Sequence, residues 1–148
     1  MNYQVAKIET ISAYILAFLF AYKAISKWYD WEATKWSLYN QVFPEWLSVL
    51  VLYSLPPLEL VLAWFLGGKR TRHPALWISL GVLLAFTAYI GLVLLGIFDR
   101  VPCSCGGVLG SLGWSEHLLF NMAIIVLNLI GIFYSQPHRE RRNSALIQ

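Results

Sequence analysis

Charge is what this chain has least of. Asp, Glu, Lys and Arg make up only 13% of its 148 residues, about half the share usual in a soluble domain. That excludes a water-solvated globule as the main architecture. The net charge is a modest +3, and the basic residues fall in short clusters, not in a stripe interleaved with aromatics. Nucleic-acid binding is therefore not expected. Cysteine is nearly absent, with 2 in the whole chain, too few for a closed zinc site without ligands that the sequence does not supply. The length leaves no room for a second domain. What is abundant is apolar: 58% of residues are hydrophobic, with 7 Trp and 8 Tyr, a composition suited to a membrane protein with aromatic belts at both interfaces.

A membrane helix needs about 20 largely apolar residues. Four segments qualify, at about 5–28, 46–66, 74–98 and 116–136, and together they predict an all-α integral membrane protein, a single four-transmembrane-helix bundle over 1–148. The third is free of charge, and Gly81, Ala85 and Ala88 would let a neighbouring helix come close. The second is interrupted by Pro56 and Pro57, expected to kink or break it and open a pocket beside Glu59. The first is the weakest, because Glu9 and Lys23 lie inside it; Lys23 and Lys27 can snorkel toward the interface. A cleaved signal peptide is its rival reading. Lys23, Lys27 and Asp30 after the apolar core, and no convincing small-residue cleavage site, argue for a span instead.

Lys69, Arg70 and Arg72 lie between spans two and three, and Arg139, Arg141 and Arg142 follow span four. The other two loops offer only Lys35 and Arg100. The positive-inside rule then makes both termini cytoplasmic and turns loop 99–115 outward.

That loop carries Pro102-Cys103-Ser104-Cys105-Gly106-Gly107. Both cysteines of the chain stand two positions apart, facing an oxidising exterior where thiols pair. Closing a disulfide across one residue demands a tight turn, for which Pro102 and the two glycines supply the backbone. So small a ring stabilises little and is easily reduced, which suits exchange better than stapling. Two other readings stay open: the cysteines are small packed residues, or the thiolates hold a soft metal such as Cu(I). His117, Asn121 and Asn128 share one face of span four. Ser115 is expected to cap that helix, with Glu116 at its positive end, so that the helix N-terminus lowers a nearby thiol's pKa. His117 is either a proton-transfer group or an interfacial side chain bonded to a loop carbonyl. The asparagines suit interhelical hydrogen bonds. Glu59, an acid midway along a span, is either paired with Lys23 or Lys27 or serves as a proton-transfer or quinone-binding group.

With these residues in place the chain resembles the MauE/DoxX superfamily of small four-helix membrane proteins, and within it the branch marked by Pro-Cys-Ser-Cys-Gly-Gly. Trp114, His117, Phe120-Asn121, the Tyr22-Lys23 to Ser26-Lys27 stretch and Pro57-Leu58-Glu59-Leu60 fit the same pattern. The resemblance implies a redox-associated protein of the bacterial inner membrane: MauE is linked to disulfide maturation of a periplasmic enzyme, DoxX to electron delivery into quinone. A more distant similarity is to vitamin K epoxide reductase-like oxidases. Those use Cys-x-x-Cys and a second shuttle pair, whereas this chain has Cys-x-Cys alone. An exchange role would therefore need a separate partner, of thioredoxin fold or another envelope protein. The function expected is a membrane thiol–disulfide and electron-transfer component, an oxidoreductase component with Cys103, Cys105, Glu59 and His117 as site residues and quinone as the implied cofactor. The alternative is a non-catalytic subunit that anchors or helps mature a larger envelope complex; a small transporter has less support.

Overall fold

The structure, a computed structural model, describes residues 2–42, 44–97 and 113–145, and the side chains of 7–42, 44–97 and 113–135. Among the described residues five helices follow one another: α1 (Asn2–Tyr29), α2 (Trp31–Tyr39), α3 (Glu45–Gly67), α4 (Arg72–Leu94) and α5 (Trp114–Ala145). Four of them, all but α2, contain a stretch long and apolar enough to cross a membrane. The chain is a multi-pass membrane protein, and the expected four spans are present.

The helices run alternately up and down. Arg72 at the start of α4 reaches Thr10 near the start of α1, so α1 and α4 are parallel and α3 and α5 return between them. α1 packs on α3 and α5, and α4 packs on α5 and more lightly on α3. The α3–α4 turn therefore sits at one end of the bundle, the basic end. The C-terminus of α4 and the N-terminus of α5 sit at the other, which we call the loop end because the chain leaves α4 and re-enters at α5 there.

Polarity is distributed inside out. Phe18, Trp64, Leu119 and Phe133 are more than two-thirds exposed, while Ser12, Ser48, Ser79, Asn121 and Asn128 are buried. In water this arrangement would not hold. In a bilayer the outer surface meets hydrocarbon, and hydrogen bonding and close packing between helices supply the cohesion. Asn128 donates to Ser79 Oγ at 2.7 Å and Asn121 to Thr87 Oγ1 at 3.4 Å, tying α5 to α4 at two levels in the role expected of the asparagines.

The close helix approach differs from expectation. Gly81, Ala85 and Ala88 face outward, and a Cβ at Gly81 would meet nothing within 4 Å. Gly131 is the tight point: a Cβ there would stand 3.3 Å from Leu76 Cδ2 and 3.4 Å from Ser12 Cβ, at the junction of α5 with α4 and α1. We expect Gly131→Ala to lower stability by about 1 kcal/mol, the lower end of overpacking costs, and Gly81→Ala to leave it unchanged. Unfolding titrations of both variants in micelles check this; equal effects would discard Gly131 as the contact point.

Helix ends depart from the expected limits for identifiable reasons. α4 stops before Phe98 because Gly96 adopts φ +66, and Gly96 N–H donates to Val93 O while Ile97 N–H donates to Leu92 O, a left-handed glycine stop. α3 is not broken by Pro56 and Pro57 but continues through both. Breaking it inside a bilayer would strand further backbone groups without partners. α2 was not expected. It starts at Asp30, whose Oδ1 accepts from Ala33 N–H at 3.3 Å, and it is held on α3 by Ser48 Oγ donating to Leu38 O at 3.1 Å and by Trp31 against Tyr53.

Candidate functional site at the loop end

The loop end gathers side chains from α1, α3, α4 and α5 and from the connection after α2. Lys27 comes from the last turn of α1 and Glu59 from the middle of α3. Side chains on a helix lean toward its N-terminus, so Lys27 leans into the bundle while Glu59, on an antiparallel helix, leans toward the loop end. They meet. Lys27 Nζ donates to both carboxylate oxygens of Glu59, at 2.7 and 2.8 Å, and the Glu59 side chain is only 6% exposed. Of the two readings for Glu59, the structure supplies the ion pair. The Lys27 ammonium group stands directly against the Glu59 carboxylate. Lys23, one turn earlier on the same face of α1, lies over the Phe86 ring at 5.8 Å.

On the opposite flank the polar face of α5 continues upward from Asn128 and Asn121 to His117, and all three are buried, which is the face the spacing predicts. His117 has an interaction partner in the structure. Tyr89 of α4 packs edge-on against Trp114 at 6.2 Å between centroids and donates its hydroxyl to Gln41 Oε1 at 2.5 Å. Gln41, in the connection after α2, is buried and also donates to Ser37 O at 3.0 Å. Sequence reasoning missed Gln41 and Tyr89. A glutamine in a short connection and a tyrosine near a span's end read individually as surface groups, and only the fold brings them together.

The start of α5 corrects the expected cap. The helix begins at Trp114, so Ser115 lies inside its first turn. Gly113 takes the capping position: its carbonyl accepts the first helical bond, from His117 N–H at 3.0 Å, and its own N–H donates to Glu116 Oε2 at 3.0 Å. That is the return half of a capping box. Glu116 is favourable at the positive end, as expected.

Cys103, Cys105 and the rest of residues 98–112 lie outside the described residues. The two ends of the connection that carries them are nevertheless described. The chain leaves α4 at Ile97 and rejoins α5 at Gly113, both at the end of the bundle that holds Lys27, Glu59, His117 and Gln41.

At the basic end a second buried cation appears where a loop residue was expected. Arg72 is 4% exposed. Its Nε donates to Leu66 O at 3.2 Å and its Nη1 to Thr10 Oγ1 at 2.9 Å; Glu9 Oε1 is 3.9 Å away and the Tyr14 ring 5.6 Å.

These features define a class: a small four-span membrane protein whose interior is held by polar pairs and whose one long connection joins the spans at a polar end. The family described as "Methylamine utilisation protein MauE" matches the chain over residues 5–134, and the chain belongs to that family. No curated protein and no solved structure matches it.

Proposed function

We propose that this MauE-family protein is a thiol–disulfide component of the bacterial inner membrane, working through Cys103 and Cys105 on the outward face. In this reading the basic end, with Lys69 and Arg70, is cytoplasmic, and loop 98–112 faces the periplasm. A thiolate of a thioredoxin-fold partner attacks the Cys103–Cys105 disulfide and forms a mixed disulfide. The partner's second thiolate resolves it, leaving the partner oxidised and the pair as a dithiol. Two electrons and two protons must then leave the pair. Glu59 and His117 are the proposed proton carriers.

Quinone is the acceptor implied by the superfamily resemblance and, when bound, supplies a two-electron, two-proton sink. The buried polar groups Glu59, Asn121 and Gln41 are already engaged by Lys27, Thr87 and Tyr89, so no residue is assigned to holding it. The family's description concerns methylamine utilisation, which supports a place in maturing an envelope enzyme of that process.

The observation that carries the reading is placement. The chain's two cysteines lie on a connection that starts and ends where the buried ionisable groups Glu59 and His117 are gathered. The test is acid trapping of intact cells with mass-tagged alkylation of both thiols. The pair is expected to be oxidised in respiring cells and reduced when quinone reoxidation is blocked, and Cys103→Ser and Cys105→Ser each to abolish maturation while the protein still accumulates. Thiols reduced under both conditions overturn the redox role.

A second reading has its own support. The polar groups of the interior are largely spent on holding helices together, as a non-catalytic anchoring subunit requires. In that case both serine variants are tolerated, while substitutions at Gly106 and Gly107 are not.

A further inference from the structure

Among the described helices α2 alone is too short to cross the membrane, and its neighbours fix where it lies. Only Asp30 separates it from the end of α1, and residues 40–44 separate it from the start of α3. Five residues reach at most about 17 Å, so α2 cannot leave the surface where these two spans emerge. It is also held there by contacts. Thr34 Oγ1 donates to Lys27 O at 3.4 Å, and Ser48 Oγ donates to Leu38 O at 3.1 Å. Trp31 packs on Tyr53, which stands well inside α3, about 12 Å past its start by helix rise.

These contacts occupy one side of α2, where Leu38 is buried. Glu32, Lys35, Trp36 and Tyr39 on the other side are exposed. The exposed rings continue a larger surface. Trp28 and Tyr29 end α1, Trp46 and Tyr53 belong to α3, and all four are exposed on helices that cross the membrane. The face that α2 extends is therefore a lipid-facing one. Trp and Tyr join an apolar ring to a single polar atom, and they settle where headgroups meet acyl chains. Charged side chains such as Glu32 and Lys35 suit the same layer. We propose that α2 is an interfacial helix embedded in the leaflet at the loop end, with Trp36 and Tyr39 seated at headgroup level. Lipid, and not a soluble protein, covers this face. The placement is independent of the cysteine chemistry.

The test is fluorine NMR of the full chain in phosphatidylcholine nanodiscs, with 5-fluorotryptophan at its 7 Trp positions. The resonance missing from Trp36→Phe is that of Trp36, and the others staying in place shows that the variant is folded. Three probes are compared: a lipid with a nitroxide near the glycerol, a lipid with a nitroxide at the chain end, and a water-soluble gadolinium chelate. The nitroxide near the glycerol is expected to cause the greatest loss of the Trp36 signal, as it should for Trp46. Greatest loss with the chelate puts Trp36 in water, free for a soluble partner, and overturns the proposal. Greatest loss with the chain-end nitroxide overturns the headgroup level. A signal that none of the three reduces places Trp36 under protein and overturns lipid as the occupant.

Discussion

Lys27→Met is expected to lower the unfolding free energy of the bundle by about 3–5 kcal/mol, the cost of leaving a buried charge without its partner. The loss does not come from the favourable contact alone. With Lys27 gone, the Glu59 carboxylate stays buried between helices and must either ionise with only the more distant Lys23 as counter-ion or take up a proton. The double variant Lys27→Met with Glu59→Leu removes both charges and is expected to recover most of the loss, since replacing a buried pair by apolar groups is often neutral. Glu59→Gln separates structure from chemistry. It retains an amide oxygen to accept from Lys27 but not a carboxylate to carry a proton. A Glu59→Gln protein that is stable yet inactive supports the proton role; one that is stable and active leaves Glu59 as a structural partner. Denaturant titration of the full chain in mixed micelles gives the stabilities. A Lys27→Met protein within 1 kcal/mol of wild type would remove the pair from the account of what holds α1 to α3.

At the opposite end, Arg72→Ala is expected to cost about 3 kcal/mol, from two hydrogen bonds made by a charged donor at roughly 1.5–3 kcal/mol each, partly offset by solvent entering the site. The guanidinium reaches three helices at once: its own α4, the last turn of α3 through Leu66 O, and α1 through Thr10 Oγ1. Its planar fork is what allows two acceptors at different angles, so Arg72→Lys is expected to recover only about half. Thr10→Val should remove one of the two bonds and cost about 1–2 kcal/mol, and its effect should vanish in the Arg72→Ala background. A double-mutant cycle over these two positions reads the coupling. Additive losses would mean that the 2.9 Å contact does not hold α1 to α4.

Both predictions concern residues whose roles differed in legibility. Glu59 stood out in the sequence because an acid inside an apolar span must be paired or protonated. Arg72 did not, because an arginine following Lys69 and Arg70 in a basic turn reads as one more cytoplasmic charge. Nothing local distinguishes the one that turns inward. The polar face of α5 was legible because Asn128, Asn121 and His117 recur at helical spacing on an otherwise apolar segment. α2 was not, because nine residues mixing Trp31, Trp36 and Tyr39 with Glu32 and Lys35 show neither the length of a span nor the clean periodicity of an amphipathic helix.

The sequence by itself determined the class of protein. Apolar runs of membrane-crossing length admit only helices, and four such runs with short connections make a bundle, because backbone groups in hydrocarbon must find partners within their own segment. The Pro-Cys-Ser-Cys-Gly-Gly segment and its companions were enough to indicate the superfamily. The tertiary structure alone decided which side chains face one another. Lys23 and Lys27 stand one turn apart on the same face of α1, and only the register of α1 on its neighbours gives Glu59 to Lys27 and sets Lys23 over the Phe86 ring. Gly81 and Gly131 are equally small, and only the packing puts one against lipid and the other against Leu76 and Ser12. The reason is that lipid is as apolar as the core. Hydrophobicity then marks that a helix crosses the membrane but not which of its faces turns inward, and that choice is made by interhelical packing and polar contacts between residues far apart in the chain.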